Sequence, residues 1–263
     1  MTVRDVCIRY AYRYAEPIAD LRHRLVVVPP DRHGPQLVRE HAVEVRCAGG
    51  PVSVSQERDS FGNRVHSILA SRVEGWIEFE ARYRVEQAAP LGTAWDLARY
   101  LSWTPLTTPD ARLREAAQAV RSAAGPGAAA RALAERAHEW AASALTWQFG
   151  LTTYRTPAAA ALEIGKGVCQ DYAHILLTVL RLLEIPARYV SGHLPGSGPP
   201  HAWVEALVGR DQVVGLDPSS GRLTGPEYLT VAVGRDYADV TPTSGVFRGA
   251  PGGTLTYSKV ISP

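Results

Sequence analysis

The sequence predicts an α+β protein. An antiparallel β-sandwich is expected over residues 1–89, and over 90–263 a core in which a largely buried helix starting at Cys169 packs on an antiparallel sheet. Three observations predict this. Apolar residues alternate with period two through the first third of the chain. Alanine-rich runs with helical spacing follow Ala89-Pro90-Leu91-Gly92. After Cys169 an apolar helix gives way to further alternating segments.

The expected strands of the first unit are 3–14, 21–28, 42–47, 52–55, 65–70 and 76–85. Pro29-Pro30, Gly49-Gly50-Pro51 and Gly62-Asn63 read as turns between them. No helical period of useful length occurs there. Helices are then expected over 93–101, 108–124 and 128–145, with Thr108 as cap, Pro109 just inside, and Gly125-Pro126-Gly127 between the last two. The helix from Cys169 should run to about Glu184, because Pro186 disfavours helical backbone in the residue before it. Strands at 187–193, 202–208 and 213–217 follow, and the Gly/Pro-rich segment 194–200 joins the first two as an irregular loop. There is no internal repeat.

The bulk composition excludes several classes. At 263 residues, 46% hydrophobic and 21% charged, the chain can bury a sizeable core. A net charge of +2 argues against a nucleic-acid or anionic-membrane partner. No apolar targeting region opens the sequence, and the longest apolar stretch, 175–183, is broken by Thr178 and Arg181 and is too short to span a bilayer, so a cytoplasmic location is expected. The cysteines Cys7, Cys47 and Cys169 form no CxxC pair and no metal spacing, so no metal or other cofactor is expected, and Cys7 and Cys47 read as buried free thiols.

Cys169 has a distinctive setting. Gly165-Lys166-Gly167 lets the chain turn into a helix and puts the thiol in its first turn, where unpaired N–H groups and the helix dipole favour a thiolate. Taken alone, it reads more readily as an inert core cysteine. His174 lies five residues on, on another side of the helix, and is rejected as its partner. His201 begins the alternating segment His201-Ala202-Trp203-Val204-Glu205, with His201, Trp203 and Glu205 on one face. Asp217 ends Val213-Val214-Gly215-Leu216-Asp217 before Pro218. A hairpin turning near Gly209 would set Asp217 opposite His201; a turn one residue later would set it opposite Trp203, with His201 as a diagonal neighbour. Both registers leave the pair in reach. The constellation is that of a cysteine nucleophile, a histidine base and an aspartate that fixes the tautomer.

At GVCQDYAH (167–174), IPARYVSGHL (185–194), HAWVE (201–205), GLDPSS (215–220) and VGRDYADVTPTSGVFRG (233–249), the chain resembles the transglutaminase-like superfamily, in particular bacterial transglutaminase-like proteins with an N-terminal β domain. The resemblance implies a papain-like catalytic core with Cys169, His201 and Asp217 as the triad. It also implies an aromatic oxyanion donor upstream of the cysteine, for which Trp147 is the candidate beside the Cys169 backbone N–H; Trp147 could instead be a core aromatic. Ser219 and Trp147 stand where the family often has threonine and tyrosine. Trp203 and Tyr172 are assigned to substrate contact, and 234–240 either lines the site or braces it as a salt-bridged turn. The implied activity is acyl transfer through a thioester: hydrolysis of a peptide or isopeptide amide first, transfer to an amine acceptor as the alternative. A non-catalytic scaffold that keeps the fold is the reading of another class.

Overall fold

The computed structural model describes residues 3–89, 95–196, 198–250 and 252–262. Its strands are β1 (Val3–Arg13), β2 (Ile18–Leu25), β3 (Arg32–His33), β4 (Gln36–Gly49), β5 (Val52–Arg58), β6 (Arg64–Gln87), β7 (Thr146–Trp147), β8 (Lys166–Gly167), β9 (Ala187–His193), β10 (His201–Gly209), β11 (Gln212–Asp217), β12 (Arg222–Leu223), β13 (Leu229–Gly234), β14 (Thr243–Arg248) and β15 (Thr254–Ser262). The helices are α1 (Leu97–Leu101), α2 (Ala111–Ala124), α3 (Ala130–Ala144), α4 (Ala158–Ile164), α5 (Cys169–Leu182) and α6 (Tyr237–Val240).

The first sheet is organised by β6. Its second half pairs with β1 and β4, and its first half with β2 and β5. The segments expected at 65–70 and 76–85 are thus one strand, and Glu74-Gly75 bends it without interrupting it. Gly75 takes a φ of 82°, which a side chain would resist. The neighbouring passes change strand at the same level: β1 gives way to β2 at 14–17 and β4 to β5 at 50–51, while β14 ends at Arg248 and β15 begins at Thr254. The sheet therefore folds over on itself. His23 pairs with Ile68 yet stacks on Phe79 with ring centroids 4.5 Å apart; in a straight strand Ile68 and Phe79 would lie more than about 30 Å apart.

Both halves feed one core, with Val6, Ile8 and Tyr10 from β1, Leu21 and Leu25 from β2, and Ile68, Ile77 and Phe79 from β6. The alternate residues form a charged lattice on the outer face, in which Arg9 meets Glu78 and Glu80, Arg84 meets Asp5 and Glu40, and Arg46 meets Glu44. The last two strands return here, β14 to β2 and β15 to β1. The division expected at residue 89/90 groups them with the core; their pairing lies in the first sheet.

The core sheet has the order β12-β11-β10-β9-β13, all antiparallel. Ala202, Val204 and Ala206 of β10 pack with Ala173, Leu176 and Leu180 of α5, which α2, α3 and α4 surround. On the opposite face Trp203 packs with Val190 and Val233, under Phe61 from the first unit. The polar side of α5 is internal. Arg181 donates to the carbonyls of Tyr100 (3.1 Å) and Arg235 (2.6 Å) and to the Thr107 hydroxyl (2.8 Å).

The two units meet along β13, an outer strand of the core sheet. The Gln36 amide donates to the Thr230 carbonyl (2.7 Å) and accepts from the Thr230 N–H (2.9 Å). Asn63 does the same at Val233, at 2.8 Å each way. These two side chains pair with β13 as a further strand would, and they cover an edge that would otherwise expose unpaired peptide groups.

Helix starts also differ from expectation. Asp110, rather than Thr108, caps α2, its carboxylate accepting from Leu113 N–H at 2.9 Å; the Thr108 hydroxyl donates instead to the Thr104 carbonyl. The helix expected from residue 93 is described from Leu97 with Asp96 as cap, and residues 90–94 lie outside the described residues, as does Ser197 of the 194–200 loop. Among the described residues no helix is long and apolar enough to cross a membrane.

Candidate active site

Cys169 is the first residue of α5 and is half-buried. The turn into the helix is held by Asp171, whose Oδ2 accepts from the Val168 N–H (2.8 Å) and from the Thr152 hydroxyl (2.7 Å). Burial pushes the Asp171 carboxyl up, and these two hydrogen bonds draw it part of the way back. Gly167 is required by the same contact, since a Cβ there would lie 2.7 Å from Asp171 Oδ2. β7 and β8 pair in parallel, with Trp147 beside Gly167, and the Gln148 N–H donates to the Gly167 carbonyl at 2.9 Å.

His201 opens β10 and Asp217 closes β11. The register pairs Val204 with Leu216, so one step further Asp217 faces Trp203, and His201 is its diagonal neighbour. The later of the two turn positions is the one found. The diagonal is still short enough: His201 Nε2 lies 2.7 Å from Asp217 Oδ2. Asp217 is wholly buried and collects further donors. Its Oδ1 accepts from the Ser219 hydroxyl (2.8 Å) and the backbone N–H groups of Ser219 (3.1 Å) and Ser220 (3.3 Å), and its Oδ2 accepts from the Tyr228 hydroxyl (2.9 Å). Burial works against ionisation of Asp217, but the His201 and serine hydrogen bonds outweigh it and hold the carboxyl down at about 2. Burial likewise works against a charged imidazole at His201. The hydrogen bond with Asp217, followed by the hydrogen bond and charge of Cys169, reverses this and pushes it up to about 10.

The remaining expected residues are dispersed. Trp147 has its backbone beside Gly167, but its side chain is 60% exposed, so it is not a core aromatic. Tyr172 is 3% exposed, and its hydroxyl donates to the Leu145 carbonyl at 2.6 Å; Trp203 is 1% exposed beneath Tyr228 and Phe61. Neither presents surface to a substrate: Tyr172 follows the α5 face that enters the core, and Trp203 lies on the β10 face covered by the first unit. His174 is fully buried and accepts from the Tyr237 N–H at 3.2 Å, and burial, then Arg181, push it down to about 3. The 234–240 segment is a salt-bridged turn, with Arg235 Nε 3.0 Å from Asp239 Oδ2 and Asp236 capping α6. Cys7 and Cys47 are free and only partly buried, on β1 and β4.

Two parts of the site escaped the sequence. The Ser219 and Ser220 contacts could have been read from Asp217-Pro218-Ser219-Ser220, since an aspartate followed at two and three positions by backbone and hydroxyl donors is an Asx-type turn. Tyr228 carries no local signal; it reaches Asp217 only because the loop before β13 folds over Trp203.

A sulfur at a helix start, an imidazole and a buried carboxylate can pass a proton between sulfur and ring while the carboxylate holds the ring's far nitrogen. Residues 114–218 match the model of the transglutaminase-like superfamily core, and 5–86 match that of the bacterial transglutaminase-like N-terminal region. An uncharacterized protein of Mycobacterium tuberculosis is 34% identical over 90% of this chain and 85% of its own length. An uncharacterized protein of Mycobacterium leprae is 39% identical over 43% of each, so that alignment spans less than half of either chain. A crystal structure from Cytophaga hutchinsonii, described as a "putative cysteine protease", superposes with a TM-score of 0.76 at 19% identity, covering 99% of this chain and 91% of that one. In fold and in sequence, the chain belongs to the transglutaminase-like superfamily, with the bacterial type of N-terminal region.

Proposed function

We propose that the protein is a cysteine-dependent acyl-transfer enzyme that hydrolyses a peptide or isopeptide amide. The observation that carries the reading is the fully satisfied, buried Asp217 bonded to His201 at 2.7 Å, with Cys169 as the other group acting on the ring. A scaffold has no use for a buried carboxylate aimed at a single histidine.

In this reading the Cys169 thiolate attacks the amide carbonyl, and the carbon–sulfur bond forms as the carbonyl electrons move onto oxygen. The Cys169 backbone N–H, at the start of α5, and the Trp147 indole N–H are the proposed donors to that oxygen. His201, held as imidazolium by Asp217, protonates the leaving nitrogen as the carbon–nitrogen bond breaks, leaving a thioester on Cys169. His201 then takes a proton from water, which attacks the thioester and releases the acid. An amine in place of water would give transamidation, the second reading. Three unpaired thiols support a reducing, cytoplasmic setting.

The test is mass spectrometry after incubation with glutamine-containing peptides and a primary amine. Wild type should yield cleaved or deamidated peptides without amine adducts, and Cys169→Ala none. Asp217→Asn should reduce turnover by about 10³-fold or more. Amine adducts lost in Cys169→Ala would replace hydrolysis by the second reading. Absence of turnover, together with iodoacetamide labelling of Cys169 at pH 5.5 no faster than Cys7 or Cys47, would reject the enzyme reading.

A further inference from the structure

We infer that Tyr228 is a positioning residue of this site: its hydroxyl shares Oδ2 of Asp217 with the His201 ring, and so fixes the direction of the carboxylate and limits the negative charge that His201 receives. The inference rests on the proposed roles of Cys169, His201 and Asp217.

The geometry is specific. Both hydrogen bonds end on one oxygen, His201 Nε2 at 2.7 Å and the Tyr228 hydroxyl at 2.9 Å, while the serine donors occupy the other. The Tyr228 ring stands edge-on to Trp203, with centroids 5.2 Å apart at 78°, and lies 6.3 Å from the His201 ring. Trp203 is buried between strands, so the phenol has a rigid wall behind it. A carboxylate has two oxygens that can exchange places by rotation about its side chain. With Oδ1 held by the turn after Asp217 and Oδ2 held from a second direction by Tyr228, rotation is blocked and only one lone-pair direction is left for the histidine.

The second consequence is electronic. A carboxylate oxygen that already accepts one strong donor is a weaker acceptor for the next, so Tyr228 draws charge away from the bond to His201. The titratable groups facing His201 are Cys169 from α5, Asp217 from β11 and Tyr228 from the loop before β13; Glu227 acts on Tyr228 from beside it. The phenol stays protonated throughout the working range, because burial, with the Asp217 charge, pushes it up to about 12.

The experiment is a nitrogen-15 NMR titration of the His201 ring in full-length protein carrying Cys169→Ala, with and without Tyr228→Phe, the His201 signal being assigned by its loss in His201→Gln. Removing the sulfur takes away one of the groups that raise His201 and brings its midpoint into an accessible range. The expected result is a rise of about half a pH unit or more in Tyr228→Phe, with the other histidines unmoved. No change, or a fall, overturns the inference. Incorporation of 4-aminophenylalanine at position 228, a weaker donor of nearly the same shape that stays neutral across the titration, should raise the midpoint; no change or a fall there would equally overturn the inference, and this variant keeps the test decisive if Tyr228→Phe does not fold. Because both arms lack the thiol, the outcome is independent of whether Cys169 proves to be a nucleophile.

Discussion

The first sheet and the core sheet are both antiparallel, yet they bury their residues differently. In β1 and β6 inward apolar residues alternate with charged outward ones, and the outer face is a lattice of arginine–carboxylate contacts in water. In β9 and β13 every residue is buried, because α5 and its neighbours cover one face of the core sheet and the first unit covers the other. The difference shows that the β unit acts as the second wall of the core sheet. Trp203, beside the candidate site, lies in that wall's contact.

Substitutions should therefore weigh very differently in the two sheets. Gly192→Ala on β9 should have the largest effect. A Cβ there would stand 2.1 Å from the Leu229 carbonyl oxygen and 2.4 Å from the Trp203 ring, both held between strands, so about 3 kcal/mol or more should be lost in denaturant unfolding. A loss below about 1 kcal/mol would mean that the core sheet can breathe. Next comes the seam. Gln36→Leu or Asn63→Leu removes both hydrogen bonds to one β13 peptide and should cost about 1–3 kcal/mol each. The double variant should split a single calorimetric transition into two, which would show the two units melting separately. The smallest effect belongs to the outer lattice: Arg46→Ala should leave Tm within about one degree, since Arg46 and Glu44 are both exposed and the other partner of Arg46, Glu78, lies 3.9 Å away, at the limit of contact.

The site's charge state provides a pH test of the same comparison. Asp217 is depressed, so its contribution is present above its ordinary pKa near 3.8 and is lost as pH falls through about 2. His201 is raised, so its contribution is complete below its ordinary pKa near 6.5 and is lost as pH rises through about 10. The pair should therefore stabilise the core sheet most between about pH 4 and pH 6.5. Asp217→Asn should lower that plateau and flatten the slopes on either side of it, measured by urea unfolding, and Arg46→Ala should not.

The residues that were legible in the sequence are those whose role is set locally. Cys169 follows a glycine-flanked turn into an apolar helix, and His201 and Asp217 lie about equally far from a hairpin turn. β1 was legible because its outer face is wet and alternation records that. β13 was not, because Leu229-Thr230-Val231-Ala232-Val233-Gly234 is buried on both faces and carries no polar period. The continuity of β6 was hidden because Gly75 reads as a turn when it is a bend within a paired strand. β14 and β15 were missed for the opposite reason: most of their residues are exposed at the rim of the first sheet, so no apolar pattern marks them. Tyr228 depends on where a loop lands after both sheets have formed.

The return of β14 and β15 also has a consequence in time. During synthesis β1 and β2 emerge first, but the strands that flank them on one side emerge only after the entire core sheet has been made. Until then β1 and β2 present a long open edge, and the amides of Gln36 and Asn63 have no β13 to hold. The unit whose first strands precede the core sheet is thus completed after it, and the interval is a window in which strand addition from another chain competes with β14 and β15.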